Sequence, residues 1–116
     1  MFTVELPTPV SANHLFANRR DGGRIKTKVY ENWQQMAAWT VKAEVRADQR
    51  VGGAVSVKIE LPEECRLDAD NAIKPILDAL VYSQRIDDDR NVMHIEVFKN
   101  ARPGDKALVT VTARPA

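Results

Sequence analysis

Only one cysteine, Cys65, occurs in the chain, so no intrachain disulfide can form. That agrees with a reducing compartment. A lone thiol without a paired ligand is not a zinc site, and Cys65 is expected to act as a small, semi-buried apolar side chain. Histidine is scarce too. His14 and His94 stand alone, which argues against a transition-metal site. There is no Gly-rich phosphate loop and no serine or cysteine triad pattern. No stretch approaches the ~20 apolar residues that would span a bilayer. Residues 1–9 lack a basic region and an apolar core of signal-peptide length, so the expected location is the cytoplasm, with no membrane partner. Repeats and low-complexity tracts are missing as well.

A strong excess of one charge is also lacking. The chain carries 17 basic and 16 acidic residues, for a net charge of +1, which by itself does not point to nucleic acid. The distribution is more informative. Arg19, Arg20, Arg24, Lys26 and Lys28 face only Asp21 in the run 19–28, whereas acids dominate 68–89. A basic arm and an acidic cluster in one small domain suit an enzyme that holds a polyanion with one and a metal with the other.

The 116 residues fit one domain, 1–116. Residues 2–6 alternate as a short strand stopped by Pro7 and Pro9, and 11–26, with Gly22-Gly23, read as a long loop. Residues 27–47 predict the longest helix, with Thr27 as N-cap and Tyr30, Trp33, Ala37 and Val41 at helical spacing. Trp33 and Trp39 are six apart and cannot share a face. Trp33 is therefore expected in the core, leaving one tryptophan to reach a partner surface. Gly52-Gly53 marks a turn, 54–61 alternate as a half-buried strand, and Pro62 ends it. Asp70 or Asn71 is expected to cap a second helix running to about Ser83, with Pro75 in its first turn. Residues 86–90 read as a loop. Residues 92–98 and 107–112 predict two strands around a Pro103-Gly104 turn, with His94 on the more polar face. The expected class is α/β (α+β): a mixed β-sheet with two helices, in the order β-α-β-α-β-β.

The chemistry lies in Asp68-Ala69-Asp70-Asn71-Ala72-Ile73-Lys74 and in Ile86-Asp87-Asp88-Asp89-Arg90-Asn91-Val92. In extended chain, residues two apart point the same way, so Asp68 and Asp70 can aim at one point. Lys74 is four residues after Asp70, one helical turn on. Asp78, on the same side as Lys74, is a candidate to orient that lysine. If the helix packs back on the sheet, the 87–89 turn can return a third carboxylate. Mg²⁺ takes hard oxygen ligands and keeps several waters, so two or three carboxylates suffice. Bound metal activates water and stabilises the leaving oxygen of a phosphodiester, while a nearby lysine neutralises charge on the reacting phosphate.

The string Asp68-x-Asp70-Asn71-x-x-Lys74, then Leu77-Asp78-Ala79-Leu80, then Asp88-Asp89-Arg90-Asn91-Val92, resembles the signature of RusA-type Holliday-junction resolvases. The opening Leu6-Pro7-Thr8-Pro9-Val10-Ser11-Ala12-Asn13 resembles the family's L-P-x-P-P-S-x-N, and Lys26 to Tyr30 and Lys99 also fit. The resemblance spans roughly residues 4–99. It implies an endodeoxyribonuclease that resolves four-way junctions and related branched DNA by paired symmetric nicks. It implies a homodimer and dependence on Mg²⁺, with Mn²⁺ able to substitute. It further implies Asp68, Asp70 and Asp89 as catalytic metal ligands, Lys74 as the essential lysine, and Asp88 as a supporting acid. Asn13, Arg20, Arg24, Lys26 and Lys28 are the candidate DNA contacts. Asp87 has no counterpart and is expected to be solvated. Val10 replaces a second proline. Leu67 precedes Asp68 where some members carry arginine, with Arg66 one place off. The competing readings are a branched-DNA-binding protein of the same fold without turnover, and a small metal-binding or subunit-interaction protein with no DNA role.

Overall fold

Alternation and capping account for most of the architecture. The computed structural model describes residues 1–9, 16–18, 24–65 and 67–114, with the backbone alone described at 16–18 and 24–26. Strand β1 (Phe2–Pro7) buries Phe2, Val4 and Leu6 and exposes Thr3 and Glu5. A short antiparallel hairpin follows, β2 (Phe16–Asn18) with β3 (Arg24–Lys26). This corrects the long loop expected over 11–26, within which both strands fall. Helix α1 (Lys28–Glu44) starts where expected, with the Thr27 hydroxyl accepting the Tyr30 N–H at 3.2 Å.

Helix α1 ends three residues before the expected 47. Val45 leaves the helix in extended conformation, and its carbonyl accepts the Arg85 Nε–H at 2.9 Å. Arg85 is buried and also donates to the Ser83 carbonyl at 2.9 Å. One guanidinium thus ties the exits of both helices together. Removing it strands two buried carbonyls. Arg85→Met is expected to cost about 2 kcal/mol and to lower the melting temperature by roughly 8 °C, as read by thermal denaturation.

Strands β4 (Val55–Pro62), β5 (Val92–Arg102) and β6 (Lys106–Ala113) complete a four-stranded sheet in the order β1-β6-β4-β5. Pairs β1/β6 and β6/β4 are antiparallel and β4/β5 is parallel, so the sheet is mixed as expected. Helix α2 (Ile73–Tyr82) provides the crossover that a parallel pair requires. Phe2, Val4 and Leu6 lie opposite Val111, Val109 and Ala107, and of these Val111 and Val109 lie in turn beside Val57 and Ile59 of β4. These side chains form one buried face, against which Tyr30, Trp33, Ala37 and Val41 of α1 and Ile76, Leu77 and Leu80 of α2 complete the core. Strand β5 runs four residues beyond the expected 98, and Pro62 lies within β4 rather than after it. Among the described residues no helix is long and apolar enough to cross a membrane.

Candidate active site

The chain leaves β4 and reaches α2 through a 3₁₀ turn, Ala69–Ala72. Asp68 occupies the cap position of that turn in extended backbone, and its carbonyl accepts the Asn71 N–H at 3.0 Å. Its side chain makes no cap hydrogen bond. Asp70 and Asn71 therefore do not cap α2 as the sequence suggested. They lie within the turn, and Ala72 precedes the helix without a side-chain cap. Pro75, third in the helix, has no N–H to satisfy, which lessens the need for one. Asp68 and Asp70 are both exposed. Among the described residues neither carboxylate enters an ion pair.

Lys74, also exposed, sits one turn into α2 with its Nζ 3.6 Å from Asp78 Oδ2. The same Oδ2 accepts the hydroxyl of Tyr30. Burial of Tyr30, reinforced by the Asp78 carboxylate, pushes its hydroxyl pKa well above the ordinary tyrosine value, so it stays a donor. Asp78 stands beside Lys74, as its spacing predicts. The spacing that predicts Tyr30 as a core position gives no sign of its polar end, because the partner lies 48 residues away.

The 87–89 stretch divides into three roles. Asp87 is not simply solvated: it accepts the Gly53 N–H at 3.0 Å and pairs with Arg50. It thereby pins the Gly52-Gly53 turn, whose Gly53 has a φ of +71°, a region that favours glycine. Asp88 caps a second 3₁₀ turn, Asp89–Asn91, accepting the Arg90 N–H at 3.1 Å and pairing with Arg90 Nε at 3.2 Å. The Arg90 backbone N–H is the first cause holding the Asp88 carboxyl below the usual range, with the Arg90 guanidinium adding to it. Asp89 is exposed. It shares with Asp88 a hollow of about 290 Å³ that Gln34, Asp78, Val81 and Tyr82 also line. Asp78 thus adjoins both Lys74 and the acidic turn.

Among the described residues no three of His, Cys, Asp and Glu come close enough together to hold a metal ion. The expected gathering of Asp68, Asp70 and Asp89 is therefore not present in the single chain. The chemistry of the donors nevertheless suits a hard divalent cation: Asp68 and Asp70 offer carboxylates engaged neither in a cap nor in an ion pair among the described residues. Asp88 is engaged by Arg90, which makes it the weaker candidate.

Of the candidate DNA contacts, Asn13 and Arg20 lie outside the described residues, as does Arg66. Arg24 and Lys26 belong to β3, with only their backbone described, and Lys28 is exposed at the start of α1. Cys65 is buried, as expected. His94 is exposed and paired with Glu96 at 3.0 Å. Trp33 is in the core, and Trp39 is 77% exposed. Trp39 and Tyr82 line a cleft of about 460 Å³ with Gln35, Ala38, Lys42 and Ala43.

The family model described as Endodeoxyribonuclease RusA matches residues 7–112. The chain is also 25% identical, over 118 aligned positions covering 99% of its length and 90% of the relative, to the crossover junction endodeoxyribonuclease RusA of Aquifex aeolicus (strain VF5). The matched region takes in the 3₁₀ turns, α2 and all four candidate catalytic side chains.

Proposed function

The chain belongs to the RusA endodeoxyribonuclease family, and from that premise we propose that it resolves Holliday junctions by paired, Mg²⁺-dependent nicks. The observation that carries this reading is the family match across 7–112. The matched residues include Asp68, Asp70, Lys74 and the 88–89 turn, which lie on either side of or within the crossover helix α2. In this reading Asp68, Asp70 and Asp89 hold the cation, with Asp88 supporting. When bound, a divalent ion there supplies an acidified water and offsets charge on the leaving oxygen. Lys74 places its ammonium beside the scissile phosphate and stabilises the developing charge. Arg20, Arg24, Lys26 and Lys28 take phosphates along the arms, and Asn13 contacts DNA from the opening motif. The working compartment is the cytoplasm.

A four-way junction presents two equivalent strands, which calls for a two-fold enzyme. We assign the homodimer contact to the face bearing Trp39 and Tyr82, which are 77% and 64% exposed. Because one chain does not gather the three carboxylates, cation binding or pairing of two chains has to draw Asp89 toward Asp68 and Asp70. Trp39→Glu puts a charge on that face. It is expected to shift the mass measured by sedimentation equilibrium from two chains to one; an unchanged mass removes this assignment.

A cleavage assay on a four-way junction with and without Mg²⁺ tests the function itself. The proposal expects symmetric nicks that require the ion. A protein that binds the junction in a salt-sensitive way yet never cuts it is instead a branched-DNA-binding member of the fold.

A further inference from the structure

We infer that Tyr30 and Asp78 form the positioning pair of the active-site lysine: the buried hydroxyl fixes the Asp78 carboxylate, and the carboxylate holds the Lys74 ammonium. The inference rests on the reading of Lys74 given above and extends it to two side chains from two helices.

The geometry is a fork on one atom. Tyr30 donates its hydroxyl to Asp78 Oδ2, and Lys74 Nζ stands 3.6 Å from that oxygen. Lys74 and Asp78 are four residues apart in α2 with the cation first, the less favourable order for such a helix pair. Lys74 is 54% exposed and Asp78 23%, so water competes for both. A pair of this kind holds a long, flexible lysine only weakly. Tyr30 changes that. Its ring is buried in the core, and its backbone is anchored by the bond to the Thr27 cap. It enters from α1, so the carboxylate is held from outside its own helix. With its pKa pushed up, the hydroxyl is obliged to donate and never competes as a phenolate.

The alternative to capture by Asp78 is visible on the same segment. Asp70 lies four residues before Lys74, and among the described residues no ion pair joins them. By engaging Lys74 from the other side, Asp78 leaves the Asp70 carboxylate open. Asp78 also lines the hollow shared with Asp88 and Asp89. Asp78 thus touches both the lysine and the hollow of the second acidic stretch. A mere interhelical tether between α1 and α2 would have no such dependence on Lys74.

That difference is the test. Tyr30→Phe, Asp78→Asn and Lys74→Ala, with each of the first two also combined with Lys74→Ala, are assayed in single-turnover cleavage of a four-way junction. Lys74→Ala is expected to lower the rate by about 100-fold or more, Asp78→Asn by about 10-fold or more and Tyr30→Phe by about 3-fold or more, with junction Kd unchanged. In the Lys74→Ala background both further losses shrink to less than about 2-fold, because the lysine through which they act is gone. A second readout needs neither metal nor DNA. Acetylation of Lys74 by acetic anhydride, followed by peptide mass spectrometry, reports how firmly the ammonium is held. Asp78→Asn is expected to speed it by about 2-fold against Lys42, Lys58 and Lys106, since the ion pair that holds the Lys74 side chain is gone. Full losses in the Lys74→Ala background, or unchanged Lys74 reactivity, overturn the inference. If Tyr30→Phe does not fold, Asp78→Asn carries the same comparison. Should the wild type cut no branched DNA, the proposed function falls, and the acetylation result still decides whether the pair holds the lysine.

Discussion

Asp70→Asn is expected to cut the rate of Mg²⁺-dependent junction cleavage by about 10³-fold, or about 4 kcal/mol of transition-state stabilisation. The substitution keeps shape and removes charge. Asp70 is exposed and enters no ion pair among the described residues, so the fold has little to lose. Surface changes of this kind usually shift stability by no more than about 0.5 kcal/mol. On the proposed reading, the change removes one anionic ligand from a site that needs two or three. Junction binding measured in the absence of Mg²⁺ should hold, because affinity comes from basic side chains elsewhere. A variant that still cuts within a few-fold of wild type would remove Asp70 from the catalytic set. Equal inactivity of wild type and variant, with both binding, would favour the non-catalytic reading.

Raising monovalent salt from 50 to 200 mM is expected to weaken junction binding by about 10⁴-fold, given roughly eight phosphate contacts in a dimer. The estimate comes from four candidate cations per chain: Arg20, Arg24, Lys26 and Lys28. Each phosphate neutralised releases condensed counterions, and the slope of log Kd against log salt counts them. A net charge of only +1 makes this a demanding expectation. Affinity must then come from a local basic stretch and not from a global field. Lys28→Ala should reduce the slope by about one per chain, read by fluorescence anisotropy at several salt concentrations. A flat salt dependence would show that the basic stretch does not meet the backbone.

Local signals in the sequence were sufficient where the cause is local. The Thr27 hydroxyl and the spacing of Tyr30, Trp33, Ala37 and Val41 set the start and the buried face of α1. Alternation at 55–61 set β4, since one face of the sheet is buried. Where the cause is distant, the sequence was silent. The end of α1 depends on Arg85, forty residues on, and nothing near Glu44 announces it. Asp87 looked solvated because its partners, Arg50 and the Gly53 N–H, come from another turn. Strands β2 and β3 are three residues each, too short for a periodicity to register. At the site, the spacing of Lys74 and Asp78 was legible as one helical turn. Tyr30 was not, because an aromatic at a buried helical position reads as apolar whatever its hydroxyl does. The signature from 68 to 92 pointed to the family, and the match over 7–112 agrees with it. The gathering of Asp68, Asp70 and Asp89 is a separate matter that neither the spacing nor the fold of a single chain supplies.

The whole account depends on side chains from the 3₁₀ turn before α2 and from the turn after it sharing one cation. Anomalous diffraction from crystals soaked in Mn²⁺ locates that cation directly. The account predicts one strong peak per chain within coordination distance of the carboxylates of Asp68, Asp70 and Asp89. A peak held by Asp88 and Asp89 alone, with Asp68 and Asp70 remote from any bound metal, would contradict it.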